Sequence, residues 1–122
     1  MARSPITVRT LTSPRSGLNG VYAAYYDTAD ATNDHEFTHP GGVVVLNILN
    51  FSGATMNVVV PAVASLGTRQ AAEDYTATIL DGDHLWLPIG YNDGYVNSSG
   101  KVDVDIDQDT SSWLGVLKLV KS

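Results

Sequence analysis

The run Gly42–Phe51, G-V-V-V-L-N-I-L-N-F, is apolar at successive positions and rich in β-branched residues. A strand covered on both faces reads this way, so this segment is predicted to lie at the centre of a sheet. Elsewhere the apolar positions recur with period two. In P-I-T-V-R-T-L, Ile6 and Val8 alternate with Thr7 and Arg9, which predicts an extended arm or an edge strand. T-M-N-V-V-V-P follows the central strand after S-G-A, a gap of hairpin length. D-Y-T-A-T-I-L and H-L-W-L-P-I-G flank Asp81-Gly82-Asp83, and Asp-Gly is a strong hairpin signal because glycine accepts positive φ. K-V-D-V-D-I-D and S-W-L-G-V-L-K-L-V close the chain.

Short strands separated by turn signals every ~8–12 residues predict an all-β fold, a single antiparallel β-sandwich or jelly-roll-like domain. Its expected extent is residues 16–122, preceded by an extended N-terminal arm over residues 1–15. Helical signals are scarce. Ser65–Asp74 admits a single turn, but Gly67 interrupts it and no apolar stripe of helical period appears. Pro14–Gly42 is polar, with V-Y-A-A-Y-Y as its one strand-like run, and reads as a long connection.

At 122 residues, 43% of them hydrophobic and 16% charged, the chain has the composition of one globular domain. It has no cysteine, so disulfides and thiolate metal sites are excluded. The opening residues contain neither a signal-peptide-length apolar run nor a membrane span, and synthesis in a cytoplasm without membrane association is expected. Arg3, Arg9 and Arg15 make the first fifteen residues basic, while the whole chain carries −6. So acidic a body repels phosphate backbones, and no nucleic-acid partner is expected.

Two motifs invite a catalytic reading. His35-Glu36-Phe37-Thr38-His39 spells H-E-x-x-H, which binds zinc when a helix places both histidines on one face. Here Pro40 disfavours helix at His39, two glycines follow, and no third ligand is in place; a polar loop is the expectation. Asp103, Asp105, Asp107 and Asp109 fall at every second position. As an EF-hand loop the row fails, with Gln108 where glycine is needed and Leu114 where glutamate is needed. Interleaved Val102, Val104 and Ile106 make it a strand with one apolar and one acidic face. That acidic face is expected to meet water, with a basic partner near Asp109 or a weakly held cation as the alternatives. Neither a nucleophile elbow nor a phosphate loop is present. The expectation is therefore a non-enzymatic protein without cofactor or metal. Trp86, Trp113, Phe37 and Phe51 are expected in the core, and the loop tyrosines, Tyr25 and Tyr26 among them, at interfaces.

The order of these features, from M-A-R-S-P-I-T-V-R-T-L-T through D-Y-T-A-T-I-L-D-G and H-L-W-L-P-I-G to V-D-V-D-I-D-Q-D-T-S-S-W-L-G-V-L-K-L, resembles small tailed-bacteriophage virion proteins, especially head decoration (cement) proteins. The resemblance covers most of the chain as a pattern of strands and turns. It implies a small β-sandwich that binds the outside of an assembled capsid, commonly as a homotrimer, and stabilises the shell. The partner would be the major capsid protein and the location the virion exterior. On that reading Arg3, Ile6, Val8, Arg9 and Leu11 form the docking arm, helped by Tyr25 and Tyr26. Alternatives are a tail or neck protein of the same fold, and a carbohydrate-binding sandwich using loop tyrosines with the D-G-D and Y-N-D-G turns.

Overall fold

A computed structural model describes residues 2–11, 26–63 and 73–119. Ten strands occur among them: β1 (Ser4–Pro5), β2 (Val8–Leu11), β3 (Asp27–Thr28), β4 (His35–Thr38), β5 (Val43–Leu49), β6 (Met56–Val60), β7 (Tyr75–Ile79), β8 (His84–Gly90), β9 (Lys101–Ile106) and β10 (Trp113–Leu119). The described residues contain no helix. Sheet I has the order β1-β4-β9-β6-β7; sheet II has the order β2-β10-β5-β8, with β3 also on β10. The two pack face to face as a β-sandwich.

Period-two alternation decides what fills the gap between the sheets. Phe37, Met56, Val58, Val60, Ile79, Val102, Val104 and Ile106 point inward from sheet I, and Val44, Leu46, Ile48, Ile89, Leu114 and Val116 from sheet II. Each such side chain contributes roughly 1.5–3 kcal/mol when taken out of water. The predicted central strand is β5, held between β10 and β8.

The hairpin expectations need correction. β5 and β6 belong to different sheets, and so do β7 and β8. Gly82 does adopt positive φ, 85°, but its turn is an arch from one sheet to the other. The reason lies in the residues before it. The buried Asn50 takes the Gly82 amide on its own carbonyl at 2.7 Å and gives its amide to Asp83 at 3.0 Å, so the turn is bonded to the end of β5 instead of closing a two-stranded ladder. β6 and β7 do form an antiparallel hairpin pair.

Of the two readings of the N-terminal segment, extended arm or edge strand, its described part forms edge strands. β1 pairs in parallel with β4, and β2 in parallel with β10, so residues 4–11 are edge strands of both sheets. Ile6, 4% exposed, sits between them in the core. These parallel pairings make the sheets mixed where antiparallel sheets were expected. The Pro14–Gly42 connection holds β3 and β4; its residues 14–25, like the turn expected over most of Ser65–Asp74, lie outside the described residues.

Candidate functional site

The first four residues of H-E-x-x-H form strand β4 and His39 follows it directly, and His35, Phe37 and His39 are buried at 1%, 1% and 5% exposure. A strand separates positions i and i+4 by roughly 13 Å, far beyond a shared zinc ion with ~2 Å bonds. Both rings are also occupied. His35 Nε2 accepts the Asp30 amide at 2.8 Å, which leaves its Nδ1 to donate to the Ser4 carbonyl at 3.1 Å. His39 has the opposite tautomer: Nδ1 accepts the Gly41 amide at 3.0 Å and Nε2 donates to the Ile89 carbonyl at 2.9 Å. Glu36 faces the other way and pairs with Lys101 Nζ at 2.9 Å. The motif fastens β4 to its neighbours, and the polar loop expected there is a strand.

Burial holds the His35 imidazolium pKa below 6.5, against the opposing pull of the Ser4 carbonyl and the Asp30, Asp34 and Asp27 charges. Asp30 is lowered to about 2, first by the Ser4 hydroxyl at 2.5 Å and then by the Asn33 amide and side chain. Asp30 thus fixes a turn and also the start of β1.

The aspartate row has the expected strand geometry over Asp103 and Asp105, both on the outer face of sheet I. Each of the four carboxylates already has work within the chain. Arg3 lies 3.6 Å from Asp103 and 2.5 Å from Asp105. Asp107 accepts the Asn57 amide and side chain at 2.7 and 2.8 Å, and Asp109 accepts the Ala31 amide at 2.9 Å. No cluster able to hold a metal ion occurs among the described residues.

The residues expected to dock, where described, have partners within the chain. Arg3 caps the aspartate row, Ile6 is core, Val8 packs against the core, and Arg9 pairs with Asp27 at 3.5 Å. Leu11 is in backbone register with Leu119. Tyr26 reaches across β10 to hydrogen-bond Asn47 Oδ1 at 2.6 Å, and Asn47 Nδ2 in turn donates to the Leu85 carbonyl at 2.8 Å. Tyr25 lies outside the described residues.

What faces outward is different. Trp86 is 52% exposed, Val43 60% and Phe51 41%, where Trp86 and Phe51 were expected in the core. Trp86 is registered opposite Asn47, and Pro88 opposite Val45, on the outer face of sheet II. The signal was present: in H-L-W-L-P-I-G the inward set is Leu85, Leu87 and Ile89, so period two sends Trp86 to the opposite face. Between β7 and β8, at the edge opposite the N-terminal strands, a half-open cleft of 350 Å³ is lined by Tyr75, Leu87, Ile89, Asp93 and Tyr95, among others. Asp93 locks its turn by accepting the Gly90 amide at 2.7 Å, and a side chain at Gly90 would crowd that carboxylate.

The two outer faces therefore divide the surface. Sheet I carries the Arg3–Asp103/Asp105 and Lys101–Glu36 pairs on its outer face, and sheet II exposes Val43 and Trp86 beside the Arg9–Asp27 pair. Comparison with protein-family models, curated proteins and solved structures finds no match to this chain.

Proposed function

We propose that the chain is a non-enzymatic binding protein of the virion-decoration type, which docks on the exterior of an assembled phage head by the outer face of sheet II and stabilises the shell. The observation that carries the reading is the exposure of Val43 and Trp86 on the outer face of sheet II, with Phe51 exposed just beyond the end of β5. Exposed large apolar side chains on a sheet face are candidates for interaction sites, and tryptophan is enriched among the residues that anchor interfaces. The residues of both catalytic motifs are engaged in holding strands together, which favours a binding role over a chemical one. Weak contacts repeated over a capsid lattice add through multivalency. The major capsid protein is the proposed partner and the virion exterior the proposed location. Co-sedimentation with purified heads tests this. Wild type is expected to saturate at a copy number commensurate with capsid symmetry, and Trp86→Ala and Val43→Asp to lose occupancy while keeping their fold. No binding of wild type to any head or tail fraction sinks the proposal.

The cleft supports a second reading, a carbohydrate-binding module. Two tyrosine rings beside a carboxylate, in a cavity large enough for one or two sugar rings, have the right composition for a neutral pyranose. Glycan-array binding abolished by Tyr75→Ala and Tyr95→Ala, and indifferent to Trp86→Ala, favours this reading over decoration.

A further inference from the structure

We propose that β7 is a homotypic docking edge, through which two copies of this chain pair antiparallel about a two-fold axis at Ala77 and merge their sheets I into one. A strand edge with unpaired amides and carbonyls recruits another strand unless something blunts it. The other edges of the sandwich are blunted. β1 and β3 are two residues long and β1 contains Pro5, β2 carries Arg9, and β8 carries Pro88. β7 reads Tyr-Thr-Ala-Thr-Ile, with neither charge nor proline nor glycine, and no described strand pairs with its outer side.

The strand is also close to a palindrome. With Ala77 opposite Ala77 of the second copy, each Thr76 meets a Thr78 and each Tyr75 meets an Ile79. Threonine pairs and aromatic–β-branched pairs are among the favourable cross-strand combinations. Residues directly opposite share a face, so the exposed Thr76 and Thr78 stay outside while Tyr75 and Ile79 extend the apolar interior. Centring on Thr76 instead would set the strand residue Ile79 against Glu73, whereas the Ala77 register leaves its one charge–apolar encounter, Asp74 with Leu80, outside β7.

Charge narrows the contact further. The chain carries −6, so two copies meet most easily where neither is charged. Glu73 and Asp74 precede β7 and Asp81 follows it. In the Ala77 register Glu73 comes level with Asp81 of the second copy, which confines the ladder to the five uncharged residues. Added salt screens that repulsion and strengthens the pair, the reverse of a contact built on ion pairs. The symmetry is two-fold, so this contact makes a dimer and is distinguishable by mass from the trimer named above.

The test is the solution mass of the full chain with three variants. Wild type is expected at twice the 13.0 kDa of one chain, with the dimer favoured at higher salt. Thr76→Lys/Thr78→Lys sets lysine against lysine and is expected at one chain's mass. Mixing it with Thr76→Glu/Thr78→Glu restores the dimer. The chain has no cysteine, so Ala77→Cys introduces a lone thiol on the axis and is expected to oxidise to a disulfide dimer, while Thr7→Cys at the far edge is not. A monomeric or trimeric wild type, a lysine variant that stays dimeric, or Ala77→Cys that fails to cross-link each overturns the proposal.

Discussion

The Arg3 guanidinium donates to the Asp105 carboxylate at 2.5 Å and thereby joins the first residues of the chain to its ninth strand. The same arginine reaches the His35 carbonyl at 3.2 Å and lies beside Asp103. One basic side chain therefore relieves the repulsion along the aspartate row and also ties β1 to β4 and β9. Both partners remain about one-third exposed, so the pair is screened. Arg3→Ala is expected to cost about 1 kcal/mol, with a coupling energy to Asp105→Asn below that. A double-mutant cycle by urea unfolding measures it, and ~1 M salt should shrink the coupling.

Ile6 tests where the N-terminal segment belongs. A docking arm would lose partner binding on Ile6→Ala and keep its stability. A core residue 4% exposed between two edge strands would do the reverse at the level of folding. Truncation is expected to cost about 3 kcal/mol, seen as a lower urea midpoint in the isolated protein. Deleting residues 1–12 removes β1 and β2 together and should destabilise far more. Loss of binding in that deletion would therefore reflect unfolding, not a missing arm.

Asn50 is fully buried, and every polar atom of its side chain is used. Nδ2 donates to the Ala54 and Ile79 carbonyls at 2.8 and 2.9 Å, and Oδ1 accepts from the Ser52 amide and hydroxyl at 3.1 and 2.6 Å. Asn50→Ala removes the buried donor to the Ile79 carbonyl and releases the Ser52–Ala54 turn, where the Ala54 carbonyl keeps the Ser52 hydroxyl, for an expected loss of about 2 kcal/mol. Asn50→Asp keeps the shape but sets a carboxylate against two carbonyls, and should be no better. Thermal unfolding of both variants checks the prediction.

Strand positions were legible wherever one face alone is apolar. Val102, Val104 and Ile106 announce β9, and the doubly apolar Val43–Leu49 announces the central strand. Pairing was not legible, because S-G-A and D-G-D look the same whether a turn closes a ladder or arches between sheets. What distinguishes them is Asn50, whose backbone bonds to the 80–83 turn come from a residue thirty positions away. The N-terminal segment stayed open between arm and edge strand for a similar reason. Alternating Ile6 and Val8 fit an edge strand of this molecule as well as one of a neighbour, and only the partners of Arg3 and Arg9, Asp105 and Asp27, decide between them. The exposed Trp86 was open to prediction from period two, and was obscured by the habit of assigning tryptophan to cores.

His35 makes stability depend on pH in a predictable direction. Its Nε2 is the acceptor for the Asp30 amide, so protonation there removes a hydrogen bond and places a charge in a buried site. The folded-state pKa lies below 6.5, the unfolded value, chiefly through burial. The unfolded chain therefore takes up the proton first. The contribution of neutral His35 is fully present above 6.5 and is lost as pH falls through the folded-state value. Asp30, Asp27 and Asp34 oppose the shift without reversing it. Asp30, lowered to about 2, stays ionised throughout this range and weakens only in stronger acid, where its own contribution is lost between 3.8 and about 2. Melting temperature is expected to drop by about 5 °C, equivalent to one hydrogen bond, between about pH 7.5 and about pH 5. In His35→Gln that step should flatten. A titrating His35 ring proton by NMR with its midpoint above 6.5, or an undiminished step in the glutamine variant, would refute the assignment.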